Sequence, residues 1–200
     1  MTLIRATESD FERLAEFYRR TVSETKGMEI YARWIYGLHP TDGMIYGHIK
    51  CGNMFFSELN GKIASAVAAV RCQGMEYHDA PWKLDLADDE VSVVHILCVA
   101  PELQKKGIAA RTMRRMIEMN RESGKKAVRL DALKCNTPAR RLYESLGFSQ
   151  VAERNWHTEN AGWTDFVLYE LELKTEEKYH GLRSVFFIHA KISFTAQRVF

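Results

Sequence analysis

The apolar run Val91–Val99 is the feature that most constrains how this 200-residue chain can fold. Only Ser92 and His95 interrupt it, and it lacks the strict alternation of a strand that has one face in water. Such a run is typical of a strand covered on both faces, in the middle of an α/β sheet. Pro101 ends the strand, and a helix is predicted directly after Gly107. We therefore expect a central strand that leads through a short loop into a helix.

Patterns of apolar residues place the other elements around this strand. Helical spacing predicts helices over 8–26, 28–36, 41–49, 108–123 and 137–146. Further strands are predicted near Ile4 and over 54–59, 62–71, 127–133, 148–154 and 165–173. Asn60 and Gly61 predict a tight hairpin turn, and the polar segment 73–89 is predicted to be a loop or a loose β extension. This order predicts one mixed α/β (α+β) domain over 1–173, with a C-terminal extension over 174–200.

The composition argues against several classes of protein. Hydrophobic residues are 46% and charged residues 27%, as in ordinary globular domains. Lys and Arg number 28 against 26 Asp and Glu, a balance that argues against a dedicated nucleic-acid-binding protein. No apolar run approaches the roughly 18 residues of a membrane-spanning helix. The N-terminal residues also lack the apolar stretch of a signal peptide.

Four cysteines are spread along the chain without a C-x-x-C pair: Cys51, Cys72, Cys98 and Cys135. This spacing argues against a zinc site and against a thioredoxin-like motif, and no metal is expected. Three of the four lie in or beside apolar segments. We therefore expect reduced, mostly buried thiols in a cytoplasmic protein.

The loop after the central strand has the properties of an anion site. Gly107 lets the backbone approach a ligand, and the small residues Ala109 and Ala110 follow in the first helical turn. The free N–H groups of that turn attract an anion, and Lys105 and Lys106 add positive charge. A pyrophosphate fits such a site. The phosphate-loop and dinucleotide-binding motifs are both missing, and the loop by itself is a weak signal that favours an ordinary helix start.

Residues 129–148 contain a second motif, which reads N-x-x-A-x-x-L-Y-x-x-x-G-F from Asn136 to Phe148. Together the two segments resemble the GNAT superfamily of N-acetyltransferases. There the first segment is the acyl-CoA pyrophosphate loop and the second is a signature of the superfamily. The resemblance covers about residues 3–173, and its specific motifs lie in 91–148. The tail after residue 173 has no counterpart in a typical member.

The resemblance implies a fold and a cofactor. The fold is a mixed sheet of about seven strands with flanking helices, in which the strand ending at Val99 splays away from 127–133. The cofactor is acetyl-CoA, whose pyrophosphate binds the loop and whose pantetheine arm lies in the gap. A backbone N–H of the central strand donates to the acetyl carbonyl. The implied cofactor-binding residues are Leu97, Cys98, Val99, Gln104, Lys105, Lys106, Gly107, Ile108, Ala109, Ala110, Asn136, Ala139 and Tyr143.

Acetyl transfer to an amine needs groups that move protons, because a lysine-type amine has a pKa near about 10.4 and must become neutral. By resemblance, Tyr143 is the general acid near the thioester sulfur, although its position is equally that of a core residue. For the base, His95 is predicted to lie on the same face as Leu97; it is otherwise a core histidine. Glu90 is the alternative base, acting through water. Asp131 is predicted to orient its neighbours.

The resemblance also implies an acceptor pocket between two aromatic walls. Tyr31 and Trp34 form one wall, and Trp156 and Trp163 form the other. The acceptor is a primary amine: a small amine, an amino acid or a peptide N-terminus.

Two other classes of function stay open. The first is an acyl-CoA-binding module without catalysis, acting as a sensor or partner subunit. The second is an assembly protein, because alternation from Phe186 to Phe194 predicts a strand that docks on a sheet edge. For an enzyme, the same strand predicts a homodimer.

Overall fold

The structure is a computed structural model and describes residues 1–174. Within that range the strands are β1 (Ile4–Arg5), β2 (Met54–Leu59), β3 (Lys62–Val70), β4 (Val91–Val99), β5 (Ala127–Leu133), β6 (Ser149–Thr158) and β7 (Gly162–Glu172). The helices are α1 (Phe11–Glu24), α2 (Met28–Tyr31), α3 (Asp42–Lys50), α4 (Ile108–Glu122) and α5 (Thr137–Ser145). The strand predicted in the C-terminal extension, and the homodimer predicted through it, lie outside the described residues.

The strands form one mixed sheet in the order β1-β2-β3-β4-β5-β7-β6, which confirms the predicted seven-stranded architecture. β4 and β5 are the parallel pair, joined by a crossover through α4, and the other neighbours are antiparallel. In the described chain, β4 and β5 pair only from Val91–Ala127 to Val93–Arg129. β4 nevertheless continues to Val99, so the two strands separate along most of their length, as predicted.

Helices cover the two faces of the sheet because the strands carry apolar residues on both sides. On one face, α1 and α3 bury residues such as Leu14 and Ile45 against the alanines of β3. On the other face, α4 and α5 bury residues such as Met113 and Tyr143 against β5 and β7. This double cover explains why the central strands show no simple alternation.

A β-bulge in β4 reverses the direction of its side chains. His95 pairs with Ala68 and Cys98 with Ala66, so β4 has one residue more than β3 in this interval. Ile96 adopts φ 43°, which is strained for a β-branched residue. The buried Tyr18 of α1 donates a 2.8 Å hydrogen bond to the carbonyl of Ile96 and holds the bulge.

The loop 71–90 covers the part of the α1–α3 face that these helices do not reach. It contains two short 3-10 turns, Met75–Tyr77 and Asp88–Glu90, and is otherwise irregular, as predicted. Tyr77 is buried against Val91 and Val93. The loop therefore brings an aromatic side chain onto the central strand.

Three predicted elements have different bounds. The helix predicted over 28–36 ends at Tyr31, because Arg33 is left-handed (φ 53°) and its carbonyl accepts a 2.7 Å hydrogen bond from Asn160. The last two strands, predicted over 148–154 and 165–173, are longer than predicted and are joined by a tight hairpin. Cross-strand pairing continues to Thr158–Gly162, since these strands alternate between half-buried and exposed residues.

The prediction of mostly buried cysteines is wrong. Cys98 is buried in the core, but Cys51 and Cys72 are exposed because they follow the ends of α3 and β3, and Cys135 is half-buried. All four are free. Within residues 1–174, no helix is long and apolar enough to cross a membrane.

Candidate active site

The loop that leads from β4 into α4 presents backbone N–H groups at its surface. Lys105 and Gly107 are left-handed, with φ 60° and 75°, and α4 begins directly afterwards. The first turn of α4 contains no acidic residue, and its first N–H groups have no partner within the helix. A Cβ built on Gly107 would meet no described atom within 4 Å. The structure therefore leaves the backbone at Gly107 accessible, and the binding of an anion there stays a prediction.

Gln104 fixes this loop to the rest of the domain. Its side-chain amide donates to Thr25 (2.8 Å) and to the carbonyl of Val99 (3.2 Å). The loop is thereby tied both to the end of α1 and to the end of β4. Lys105 and Lys106 are exposed beside it.

Because β4 and β5 separate, the edge of β4 that faces β5 makes no strand-pairing hydrogen bonds from Val94 onward within the described residues. Leu97 and Val99 turn toward the α4 face after the bulge, while Cys98 packs with α1 and α3. Burial raises the pKa of the Cys98 thiol, which keeps the thiol protonated. This agrees with a packing role for its side chain.

Asn136 begins α5, and its side-chain oxygen accepts a 3.2 Å hydrogen bond from the N–H of Ala139. This N-cap fixes the start of α5. From that helix Tyr143 packs on the α4–α5 face of the sheet against Phe148 and Tyr169, and the residue is 7% exposed. Burial raises the pKa of Tyr143 well above its usual range, and the charge of Asp131 raises it further. The phenol is therefore a proton donor at neutral pH.

His95 lies on the face opposite Leu97 and Val99, contrary to the prediction, because the bulge at Ile96 reverses the alternation. Its ring stacks on His48 of α3 at 6.2 Å and meets the edge of Tyr77 at 6.5 Å. Burial lowers the pKa of His95, while the carboxylates of Asp131 and Glu76 raise it. His95 is therefore neutral at neutral pH and can accept a proton.

Two further histidines surround His95. Burial and the neighbouring imidazoles lower the pKa of His48 to about 4, and burial lowers the pKa of His39. Across residues 1–174 no group of His, Cys, Asp or Glu is arranged to hold a metal ion, so the histidines do not form a metal site. They form a cluster of imidazoles that burial keeps neutral, which we call the histidine cluster.

Asp131 is a carboxylate of this region that is hydrogen-bonded directly to Tyr77. Its Oδ1 accepts a 2.5 Å hydrogen bond from the hydroxyl of Tyr77. Its charge also acts on His95 and Tyr143, which lie on opposite faces of the sheet. Asp131 therefore lies where the opening between β4 and β5 joins the two faces.

Glu90 is not brought together with these groups. It precedes β4, pairs with Lys126 and accepts a 3.0 Å hydrogen bond from the N–H of Ala87. The ion pair with Lys126 lowers the pKa of Glu90. The structure places this candidate base directly before β4, whereas the bulge lies in the middle of that strand.

The four predicted acceptor residues do not share one environment. Trp34 lies against His39, and Trp156 lies against Tyr77, so both border the histidine cluster. Tyr31 ends α2, and its carbonyl contacts the thiol of Cys135.

Trp163 lies elsewhere. It pairs with His157 across the β6–β7 hairpin, on the face opposite Trp156, and is 73% exposed. The two tryptophans therefore do not form one wall.

Sequence reasoning missed Tyr77, His39, His48 and Tyr18. Tyr77 is in a polar segment that has no periodic pattern, and the two histidines are distant in sequence from His95. A signal did exist for the loop: Arg129 and Asp131 interrupt an otherwise apolar strand, and a charge in a buried strand needs a partner.

Comparisons with known proteins agree with this geometry. The acetyltransferase (GNAT) family model matches residues 11–148. A search of curated proteins found no match.

Solved structures give the same fold at low sequence identity. A ribosomal-protein-alanine N-acetyltransferase from Brucella melitensis is 18% identical, with a TM-score of 0.65 over 86% of this chain and 100% of that one. An acetyltransferase of the GNAT family from Streptococcus pneumoniae is 18% identical, with a TM-score of 0.65 over 86% and 99%. The yncA protein from Salmonella typhimurium, solved with its cofactor acetyl-CoA, is 20% identical, with a TM-score of 0.63 over 87% and 94%.

Proposed function

The chain belongs to the acetyltransferase (GNAT) family, and we propose that it transfers an acetyl group to an α-amino group by direct attack in a ternary complex. As a family member it is an N-acetyltransferase that depends on acetyl-CoA. The proposal concerns the acceptor and the residues that move protons. The observation that carries it is the opening between β4 and β5, with the anion-binding loop at its end and Tyr143, Asp131 and His95 around it.

The residues around the opening fit acetyl-CoA, which supplies an activated acetyl group as a thioester when bound. Backbone N–H groups from Lys106 to Ala110 would hold the pyrophosphate, since they begin a helix whose first turn has no acidic residue. The backbone of 97–99 would pair with the pantetheine arm. Asn136, whose oxygen caps α5, would contact the arm through its amide nitrogen.

Two residues of the chain handle protons in this proposal. His95 accepts the proton of the attacking amine because burial keeps its imidazole neutral, and the nearby charge of Asp131 stabilises the resulting imidazolium. Tyr143 donates a proton to the departing sulfur because its phenol stays protonated. Because the two residues lie on opposite faces of the sheet, the acceptor and the leaving group need not compete for space.

The weak base indicates the class of amine. An α-amino group has a pKa of about 7.7–8.0, so roughly one molecule in ten is already neutral at pH 7. A lysine amine, at about 10.4, is neutral in fewer than roughly one molecule in a thousand. Because burial lowers the pKa of His95, this residue suits an α-amine better than a lysine amine. The name of the Brucella neighbour, an alanine N-acetyltransferase, is consistent with this acceptor.

The experiment measures CoA release with three matched acceptors: a peptide with a free N-terminus, the same peptide with an acetylated N-terminus and one lysine, and a small diamine. We expect turnover with the first and a much lower kcat/KM with the other two. Faster turnover of the lysine peptide would overturn the choice of acceptor. Acetyl-CoA binding by calorimetry without turnover on any amine would indicate the non-catalytic module instead.

A further inference from the structure

The loop 71–90 is fastened to the sheet by a buried ion pair. Arg129 of β5 and Glu170 of β7 are paired in register and are 1% and 4% exposed. Their side chains meet at 2.8 Å and 2.9 Å, through Nη2 and Nε on Oε1. Well-packed apolar residues often replace such pairs without loss of stability, so stability alone is a weak explanation for this pair.

The remaining hydrogen-bonding groups of the pair are directed at the loop. Arg129 donates from Nη2 to the carbonyl of Leu84 (2.8 Å) and from Nη1 to the side-chain oxygen of Gln73. Glu170 accepts a 3.1 Å hydrogen bond from the N–H of Lys83. Both charges therefore hold the backbone and side chains of one segment, the loop between β3 and β4.

An unbroken set of contacts leads from the ion pair to the candidate active site. The guanidinium of Arg129 lies over the ring of Trp82, 4.2 Å from its centroid. Trp82 stacks on Tyr77 at 5.7 Å and 9° and donates a 2.6 Å hydrogen bond to its carbonyl. The Tyr77 hydroxyl then donates to Asp131.

We propose that the Arg129–Glu170 pair positions Trp82 and Tyr77 so that the Tyr77 hydroxyl fixes the carboxylate of Asp131 beside His95. This inference rests on the proposed function, because it assigns a purpose to the charge next to the base. Tyr77 keeps its proton throughout, Asp131 stays charged, and His95 takes the proton of the amine. Burial and the neighbouring carboxylate raise the pKa of Tyr77, which is consistent with a hydroxyl that only donates a hydrogen bond.

The test is a mutant cycle on the full chain. Tyr77→Phe keeps the ring and removes the hydroxyl. The double variant Arg129→Met with Glu170→Met removes the pair without leaving an unpaired buried charge. Each should lower kcat by about tenfold and leave the KM for acetyl-CoA within about twofold. Residues that act through one another are not additive, so the triple variant should fall to about tenfold rather than about a hundredfold.

The matched control is Phe56→Leu, which loosens the core under β2 away from the loop. At a temperature where the control and the double variant are equally folded, we expect wild-type kcat only for the control. Equal kcat for both, or losses that multiply in the triple variant, would overturn the positioning role.

A second readout separates this inference from the proposed function. The His95 titration, followed by NMR, should move by at least about half a pH unit in Tyr77→Phe and in the double variant, and stay fixed in the control. If the wild-type chain acetylates no amine, the proposed function fails while this readout still decides whether the loop sets the environment of His95. An unchanged titration would overturn the inference even in an active enzyme.

Discussion

The two halves of the candidate active site are built in different ways. The donor half is the loop 104–110 with the end of β4, and it offers mainly backbone N–H groups from one continuous stretch. The proton-transfer half consists of side chains from separate elements, among them His48, Tyr77, His95 and Asp131. The first half is exposed and carries fixed charges, whereas the second is half-buried or buried, and burial lowers the pKa values of His48 and His95. Recognition by backbone is local in sequence, and proton transfer by side chains depends on the tertiary fold.

The largest effect is expected from the removal of one hydroxyl, which should impair proton transfer and leave donor binding unchanged. Tyr143→Phe should lower kcat by about a hundredfold to ten-thousandfold, because general-acid catalysis by the phenol is lost. The Kd for acetyl-CoA, measured by calorimetry, should stay within about twofold of wild type. A variant with wild-type kcat would return Tyr143 to the core residue that its apolar contacts equally allow.

The second-largest effect is expected in the donor half, where a charge should weaken the binding of acetyl-CoA. Gly107→Asp and Gly107→Asn are nearly isosteric, and both residues tolerate the left-handed backbone better than other side chains. The aspartate variant should bind acetyl-CoA at least about tenfold more weakly than the asparagine variant, because its charge repels the pyrophosphate. Equal affinities in calorimetry would mean that no phosphate lies at this loop.

A third prediction uses pH to distinguish the halves. Burial lowers the pKa of His95, so this base stays neutral near neutral pH and its titration should not change kcat/KM there. Below about pH 6.5 kcat/KM should fall, because the imidazole takes up a proton. The Kd for acetyl-CoA should change much less between pH 5.5 and 7.5 (about the range of histidine titration). A kcat/KM profile that is unchanged in His95→Gln would remove His95 as the base.

The same shifts predict the pH dependence of stability. The pKa of His48 is about 4 in the folded chain, against an ordinary value near about 6.5. The unfolded chain therefore binds protons first, and the free energy of unfolding should decrease as the pH falls from about 6.5 toward 4. His48→Asn should flatten this slope in urea titrations, and an equal slope in both proteins would contradict the assignment.

The smallest predicted effect lies at the boundary between the halves. Tyr18→Phe removes the hydrogen bond that holds the carbonyl of Ile96, which should lower the free energy of unfolding by about 1–2 kcal/mol. Because the bulge shapes both halves, donor affinity and kcat should each weaken by a few-fold at a temperature where the variant is folded. A change in only one of the two would show that the halves are independent of the bulge.

The outcome of the sequence predictions follows this division. The sheet, its helices and the anion-binding loop could be predicted because periodicity, turn residues and the Gly107 motif are local signals. The separation of β4 from β5 came from the family resemblance, and pairing over three positions confirms it.

The missed features depend on contacts that no local pattern encodes. The face of His95 could not be predicted because the bulge is specified by β3 and by Tyr18, which is 78 residues away from Ile96. Tyr77 could not be found because its position depends on a buried ion pair between two other strands. The helix predicted through Trp34 failed because a residue of the β6–β7 hairpin caps the backbone at Arg33.

The extra residue in β4 also reverses which side chains face which side of the sheet along the strand. Before Ile96, odd-numbered residues lie on the face that α1, α3 and the loop 71–90 cover, and after it odd-numbered residues lie on the α4 face. Deletion of this one residue would restore a regular strand. Each side chain from Leu97 to Val99 would then point to the opposite face of the sheet and contact different residues. The number of residues in β4 therefore matters more than the type of most of them. An insertion or deletion in this strand would damage the protein more than most substitutions.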